Sequence, residues 1–159
     1  MATSPALVVR PVAEPDIPAV VALVRETLAE FGLHFGEGSK TDEDLARLPG
    51  SYADRGGMFW VATDDAGAVC GTCGVFPVAP GDYELRKMYL HARTRGTGLG
   101  KRLLDEALAW TRSRGGRRMV LDTTEQMTRA IAFYEANGFA RDDAQVRGSR
   151  CSRGYTRVL

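Results

Sequence analysis

The chain has 159 residues, of which 44% are hydrophobic, 26% charged and 8% aromatic. This size and composition fit one globular domain that needs no disulfide or structural metal, so we expect a single domain over residues 1–159. No apolar run approaches the roughly 20 residues of a membrane-spanning helix, and Met1–Arg10 lacks the basic and apolar regions of a signal peptide. With three cysteines that cannot all pair, the prediction is a cytoplasmic protein without a membrane partner.

The net charge of +1 hides an asymmetry between the two halves. Residues 1–80 carry 5 basic and 11 acidic side chains, whereas residues 81–159 carry 16 basic and 9 acidic ones. Nonspecific nucleic-acid binding usually needs a strongly basic domain, so no nucleic-acid partner is expected. A basic half suits a small polyanionic ligand, although chance clustering of charge on a solvated face would produce the same asymmetry.

The first half of the chain alternates apolar runs with turn residues, as strands and amphipathic helices do. Its predicted elements are, in order, a strand at Leu7–Val12, a helix beginning at Glu14-Pro15-Asp16, a glycine-rich loop at Phe31–Lys40, a short helix from Thr41 to Leu48, and two strands at Met58–Thr63 and Ala68–Val78. The last two are separated by a hairpin-type connection.

The second half continues the alternation. Its predicted elements are a strand at Tyr83–His91, a helix at Gly98–Arg114, a buried strand at Met119–Asp122, a helix at Met127–Asn137, and two closing strands. Strands that alternate with helices, with hairpins in the middle, predict a mixed α/β fold.

The most informative stretch is a glycine-rich turn between a predicted strand and a predicted helix. It reads Arg95-Gly96-Thr97-Gly98-Leu99-Gly100-Lys101. Glycines let backbone N–H groups approach a phosphate closely, and a helix N-terminus favours an anion. The spacing fits neither the P-loop pattern G-x-x-x-x-G-K-S/T nor the dinucleotide fingerprint G-x-G-x-x-G, and a turn without a ligand is the alternative.

This stretch resembles the GNAT superfamily of N-acetyltransferases. Arg95–Gly100 matches the family signature Q/R-x-x-G-x-G/A, and Ala130–Phe139 is similar to its A-I-x-x-Y-x-x-x-G-F block. Val69–Thr72 and Glu84–Leu90 resemble two of its strands. The resemblance implies a central, mostly antiparallel, twisted sheet of six to seven strands, splayed in the middle and flanked by about four helices.

The resemblance also implies a binding site for acetyl-CoA as cosubstrate, without a metal. The backbone amides that would hold its pyrophosphate belong to Gly96, Thr97, Gly98, Leu99, Gly100 and Lys101, and the side chains of Arg95 and Lys101 would add charge. Met88 and Leu90 would pair with the pantetheine arm. An amide at Met88 or Tyr89 would polarise the thioester carbonyl, as an oxyanion-hole donor does.

Acyl transfer to an amine requires a neutral amine and a proton for the leaving thiolate. The resemblance implies that Tyr134 is the acid. The alternative is that Tyr134 is only a packing residue of the core. Glu84 is the predicted base, although a carboxylate on a strand is most often simply exposed. Weaker candidates for the base are His91, His34, Glu125 and a chain of water molecules.

One position departs from the family pattern. Many relatives carry an asparagine at the position of Met127, so a hydrogen bond to the coenzyme is in doubt there. Thr123, Thr124 and Gln126 are the neighbouring candidates to replace it.

Cys70-Gly71-Thr72-Cys73 has the C-x-x-C spacing of redox and zinc motifs. Here the motif lies inside a predicted strand, where residues three apart face opposite sides and lie about 10 Å apart. A disulfide needs Cα atoms within about 7 Å. We therefore interpret Cys70 and Cys73 as buried structural residues.

The sequence thus predicts an enzyme that moves an acetyl group from acetyl-CoA to a primary amine of a small molecule or peptide, by direct attack in a ternary complex. The alternatives are a non-catalytic acyl-CoA sensor and an acyltransferase with a longer acyl donor. The acceptor site is expected in the N-terminal half, whose acidic balance would favour a cationic amine. A homodimer is compatible with this interpretation.

Overall fold

The computed structural model describes residues 6–159, which form a seven-stranded sheet flanked by four α-helices. Residues 1–5, part of the segment predicted to lack a signal peptide, lie outside the described residues. The strands are β1 (Val8–Pro11), β2 (Met58–Thr63), β3 (Val69–Ala79), β4 (Asp82–Leu90), β5 (Arg118–Thr123), β6 (Ala140–Arg141) and β7 (Arg153–Val158). The α-helices are α1 (Ile17–Glu30), α2 (Gly50–Ala53), α3 (Leu99–Ser113) and α4 (Thr128–Ala136).

The sheet has the strand order β1-β2-β3-β4-β5-β7-β6 and is antiparallel except between β4 and β5. These two strands run parallel and pair only where Asp82–Glu84 lies beside Arg118–Val120. Beyond Glu84 the rest of β4 has no strand partner on this side within residues 6–159. The predicted mixed, mostly antiparallel sheet that opens in the middle is confirmed.

Each face of the sheet carries its own apolar core. On β2, Trp60 and Ala62 belong to one core, and the alternate residues Phe59 and Val61 belong to the other, as the twofold periodicity of a strand requires. Helices α3 and α4 pack mainly on the first face, while α1 and the segment after it cover the second. Both faces of the sheet are therefore buried, which holds the central strands in place.

The predicted helix from Thr41 to Leu48 is a 3-10 segment over Lys40–Arg47, followed by the short helix α2. Its buried residues are Asp42, Leu45 and, just after it, Leu48. A spacing of three residues places these side chains above one another in a 3-10 helix but not in an α-helix. The pattern of burial thus explains the tighter winding.

The two cysteines of the C-x-x-C motif are free and fully buried. The pairing of β2 with β3 shifts between Ala62 and Thr63, opposite Cys70, so the strict alternation of side chains is broken there. Both cysteines consequently belong to the same apolar core. The prediction that they face opposite sides is wrong, whereas the interpretation as buried, unpaired thiols agrees with the structure.

Strand β4 contains a second irregularity, at Lys87. Its pairing with β3 jumps from Tyr89 to Arg86, so Lys87 and Met88 together oppose Cys73 alone, as in a β-bulge. Lys87 has a φ of 53°, and the described residues contain no other non-glycine residue with positive φ. That conformation costs about 1–2 kcal/mol for an ordinary residue. Contacts elsewhere must therefore stabilise the bulge.

Asp42 supplies the main contact. Its carboxylate is fully buried and accepts hydrogen bonds from the Lys87 ammonium, from both terminal nitrogens of Arg150 (2.9 and 3.1 Å) and from the amide of Gly36 (2.7 Å). Burial opposes ionisation of this carboxyl, but Arg150 and Lys87 outweigh it, so the pKa of Asp42 lies below its ordinary value. One carboxylate thereby joins the bulge of β4 to the loop after α1 and to the loop before β7.

We predict that Asp42→Asn lowers the free energy of unfolding by about 3 kcal/mol or more, because it leaves two buried cations without an anion. Urea unfolding at pH 7 measures the loss. Since the pKa of Asp42 is depressed in the fold, its contribution is present above the unfolded pKa and is lost as the pH falls through the folded value. The difference between wild type and variant should shrink accordingly in acid.

Asp44→Asn is the matched control, because Asp44 lies in the same segment but pairs with Arg47 at the surface. It should change stability by less than about 1 kcal/mol. An Asp42→Asn protein as stable as this control would contradict the role given to the buried cluster.

Candidate active site

A cleft of about 820 Å³ opens where β4 and β5 separate. One wall is the free side of β4 from Glu84 to Leu90, and another is the start of α4 up to Tyr134. The loop before α3 closes one end, and the loops after α1 and before β7 close the other. Leu90 is six residues from Glu84, a distance of about 20 Å along a strand, so the cleft is long enough for an extended ligand.

The predicted strand residues Met88, Tyr89 and Leu90 all line this cleft. The register pairs Tyr89 with Thr72 and Leu90 with Gly71, but leaves Met88 without a partner on β3 because of the bulge. The same segment has no strand on its other side. An extended molecule with amide groups could therefore add to β4 as an extra strand.

The glycine-rich loop leads from β4 into α3 with two glycines at positive φ, Gly96 (77°) and Gly98 (85°). Five of its amides donate no hydrogen bond to any acceptor within residues 6–159, and they belong to Gly96, Gly98, Leu99, Gly100 and Lys101. A Cβ at either positive-φ glycine would meet no heavy atom within 4 Å, so the space in front of the loop is open. Free amides at a helix N-terminus form an anion site.

Not all of the other groups predicted for the loop face the cleft. Arg95, Gly96 and Gly100 line the cleft, whereas the Leu99 side chain packs in the core and Lys101 pairs with Asp105 on the surface of α3. The amide of Thr97 already bonds the carbonyl of Thr94, at 3.4 Å. The Thr97 amide is therefore a weaker phosphate donor than the sequence predicts.

Tyr134 lies on α4 with its ring among Phe133, Phe139 and Tyr155. Its side chain lines the cleft, and its hydroxyl makes no hydrogen bond within the described part of the chain. Burial raises the pKa of Tyr134 above its ordinary value, so the hydroxyl keeps its proton at neutral and moderately alkaline pH. The geometry is that of a buried proton donor at the wall of a cleft.

Glu84 is only 4% exposed, which corrects the expectation of a solvated strand carboxylate. One oxygen accepts from Nε of Arg86, and the other accepts from Nη1 of Arg147 at 3.0 Å. Both oxygens thus already have cationic donors, which compete with the proton of an amine. The role of Glu84 as base stays a prediction. Its contacts show a second role, which is to anchor two arginines in the cleft.

The weaker candidates lie elsewhere, because His34, His91 and Glu125 do not line the cleft. Met127 does line it, together with Thr123 and Thr124. Thr123 donates its hydroxyl to the Met127 sulfur, at 3.7 Å. Of the groups considered as replacements for the missing asparagine, the two threonines are therefore in reach of a ligand.

Sequence reasoning missed the loop before β7. Arg147, Arg150 and Cys151 line the cleft from that loop, although they follow β4 by about 60 residues in the chain. Asp122, at the end of β5, accepts the amides of Arg147 and Gly148 (2.7 and 2.9 Å) and so fixes the loop. The only sequence signal was the basic excess of the second half.

The lining of the cleft is more basic than the N-terminal half from which a preference for a cationic acceptor was predicted, and that preference stays a prediction. Seven lining residues are basic and three are acidic. The acidic side chains of residues 1–80 contribute little negative charge to the cleft. Among those that the structure describes, only Glu43 lines the wall. The charge at the wall comes mainly from the second half.

Two further observations bear on the chemistry. Within residues 6–159, no three His, Cys, Asp or Glu side chains come together in a way that could hold a metal ion. None of the helices in this part of the chain is both long and apolar enough to traverse a bilayer.

Known proteins resemble this chain over most of its length. The profile of the acetyltransferase (GNAT) family matches residues 22–139. The uncharacterized N-acetyltransferase YjgM of Escherichia coli is 36% identical over 132 residues, which is 80% of this chain and 78% of that protein. An uncharacterized N-acetyltransferase of Schizosaccharomyces pombe is 32% identical over 125 residues, covering 78% of this chain and 76% of the relative.

Solved structures show the same fold. A GNAT-family acetyltransferase of Staphylococcus aureus superposes with a TM-score of 0.89 over 97% of this chain and 99% of its own, at 22% identity. The PaiA N-acetyltransferase of Thermoplasma acidophilum, solved in complex with coenzyme A, has a TM-score of 0.78 at 20% identity, over 97% and 99% of the two chains. With the family profile and the curated relatives, they show that the chain belongs to the GNAT family and is an N-acetyltransferase.

Proposed function

We propose that the protein transfers the acetyl group of acetyl-CoA to a primary amine of a small molecule or peptide, by direct attack in a ternary complex. The observation that carries the proposal is the continuity of two unpaired backbone surfaces. The free edge of β4 from Leu85 to Leu90 runs directly into a loop with five free amides. An acyl-CoA has a matching order of groups, with an acyl thioester, an amide-containing arm and a pyrophosphate.

The loop residues hold the coenzyme through their backbone. The amides of Gly96, Gly98 and the first turn of α3 donate to the pyrophosphate, and the positive end of the helix dipole adds to the attraction. Arg129 lies on the wall of the cleft and contributes positive charge, whereas the guanidinium of Arg95 is paired with Glu30 at 2.8 Å. Met88 and Leu90 pair with the pantetheine arm on the open side of β4.

The bulge in β4 sets the position of the reacting carbonyl. Met88 follows the strained residue Lys87 and has no partner on β3. We assign the Met88 amide, rather than that of Tyr89, as the donor that polarises the thioester carbonyl. Strained backbone at such a position is expected where it presents a group to a ligand.

The transfer forms a bond between the amine nitrogen and the acyl carbon and breaks the bond from that carbon to sulfur. The amine loses one proton to Glu84 or to water, and the Tyr134 hydroxyl gives one proton to the departing thiolate. Cys151 is a lining thiol that could accept the acyl group first. Burial raises its pKa to about 12, helped by the nearby carboxylate of Asp122, so it is a poor nucleophile, which favours direct attack.

We also propose that residues 1–159 act as one acetyltransferase domain in the cytoplasm. A single sheet forms both cores and the cleft, and the three cysteines are free. Unpaired thiols suit a reducing compartment. The homodimer stays a prediction.

The loop is tested by Gly98→Glu, which places a carboxylate among the free amides. We expect the dissociation constant for coenzyme A to rise at least tenfold, about 1.4 kcal/mol. Gly115→Glu is the control, since Gly115 lies just beyond the other end of α3, also has positive φ (77°) and also has open space around it. Both variants therefore carry the same strain, and isothermal titration calorimetry on each separates the charge effect from the fold. Equal affinities in the two variants would contradict the assignment of the loop.

Tyr134→Phe removes the proposed proton donor and keeps the ring in its aromatic neighbourhood. Affinity for acetyl-CoA should hardly change, because the hydroxyl acts on charge that develops during the reaction. Turnover should fall on the order of 10²-fold. Tyr155→Phe is the control, because Tyr155 contacts the same ring but its hydroxyl bonds Arg153. A Tyr134→Phe enzyme with the turnover of this control would show that Tyr134 is a packing residue.

A further inference from the structure

The end of the cleft beyond the bulge of β4 contains more positive than negative charge, and the clearest case surrounds Glu84. Two guanidinium groups, those of Arg86 and Arg147, share its single carboxylate. Glu84 is almost fully buried, and the Arg86 side chain is only 14% exposed. Charges in such a place are normally paired. Among residues 6–159 no other carboxylate pairs with either arginine, so this cluster carries one positive charge that is not neutralised there.

Both arginines also have unused donors. The terminal nitrogens of Arg86, and Nε and Nη2 of Arg147, bond no acceptor within residues 6–159. The Arg86 guanidinium lies 4.2 Å from the centre of the Phe76 ring, which holds its plane in one orientation. The Arg147 side chain is 44% exposed and can be reached from the cleft. Two guanidiniums fixed on one carboxylate therefore offer free donors to a second anion.

The other charges at this end do not cancel the excess. Lys87 and Arg150 share Asp42 in the same ratio of two cations to one carboxylate. The remaining charged groups of this wall are Asp122, which accepts two loop amides, and the pair Lys40 and Glu43, which are both exposed and of opposite sign. Together this end of the cleft has five basic and four acidic side chains, an excess of one.

We infer that the acceptor is an amine that also bears a carboxylate, as an α-amino acid does, and that this carboxylate binds between Arg86 and Arg147. The inference rests on the proposed function, since it names the acceptor of that transfer. A single negative charge is what the cluster lacks. The planar forks of two arginines match the two oxygens of a carboxylate.

The same charges assist the chemistry at the amine. Lys87 and Arg150 line the same end of the cleft as the two arginines. Positive charge near an amine disfavours its protonated form. Burial, chiefly, and also Arg150 lower the pKa of Lys87 against the attraction of Asp42. The excess of positive charge at this end therefore favours the neutral form of the amine, which is the form that attacks.

The test uses sets of three acceptors that differ only at the carboxylate, such as leucine, leucinamide and isoamylamine, with equivalent sets that have aromatic and polar side chains. Release of coenzyme A measures kcat/KM for each. We expect the acid to exceed its amide by at least about tenfold, the equivalent of 1.4 kcal/mol. The amine of an amino amide is a weaker base than the amine of the amino acid, so a larger fraction of it is neutral at a given pH. A preference for the acid therefore cannot come from the fraction of neutral amine.

The variant Arg147→Gln tests whether the preference for the acid comes from the cluster of Glu84, Arg86 and Arg147. The variant should lower kcat/KM for the acid about tenfold more than for the amide, mainly through KM, and leave the affinity for acetyl-CoA unchanged, because any disturbance of Glu84 affects both acceptors alike. Arg86→Gln should do the same. Arg141→Gln is the control, since Arg141 is a surface residue that pairs with Asp143, and it should behave as wild type.

The outcomes separate this inference from the proposed function. The carboxylate site is wrong if amides and simple amines reach the same kcat/KM as the acids, or if Arg147→Gln lowers kcat/KM equally for all three acceptors. Either result leaves the proposed acetyltransferase activity intact. If the protein transfers acetyl groups to no acceptor in the panel, the carboxylate site is wrong, and the proposed function fails as well if peptides with a free amine are not acetylated either.

Discussion

The pairing of β4 with β5 ends after three residues on each strand, and the cleft depends on that break. Every other neighbouring pair in the sheet is antiparallel, and bulges interrupt the pairing of β3 with β2 and with β4. Beyond Glu84, β4 is left with one side of its backbone unpaired, and unpaired backbone groups away from water need a partner. The free edge is therefore both an energetic cost of the fold and the surface on which an extended ligand is held.

Buried charge lines the far end of the cleft. Asp42 ties the bulge at Lys87 to the loop that carries Arg150, and Glu84 holds Arg86 and Arg147 nearby. Each cluster places two cations on one carboxylate. Burying charge is expensive, and an apolar wall would be more stable, so the arrangement is better understood as a binding surface than as a source of stability.

The sequence allowed the local features of this protein to be predicted, but not those that depend on distant segments. The strand, glycine turn and helix around Gly98 follow from composition and spacing, and Tyr134 follows from the family block. The charge at the cleft wall could not be found in the same way, because Asp42 and Arg150 are 108 residues apart and meet only in the fold.

Two features differ from what the sequence alone suggested, for the same reason. The side-chain alternation of β3 was expected to continue through Cys70, and an exposed strand carboxylate was the alternative to Glu84 as a base. A register shift in the first case and a second arginine, Arg147, in the second changed the outcome. Neither feature can be predicted from the local sequence. A bulge depends on the partner strand, and this salt bridge depends on the distant loop before β7.

Amide hydrogen exchange with and without coenzyme A tests the central claim, that a free backbone surface from β4 into the glycine loop holds the coenzyme. The account predicts slower exchange on binding along Leu85–Leu90 and at the five loop amides that have no acceptor within residues 6–159, which are those of Gly96, Gly98, Leu99, Gly100 and Lys101. Exchange at Gly115, at the opposite end of α3, should not change. Coenzyme binding that leaves the loop amides unprotected, or that protects a different part of the chain, would contradict the account.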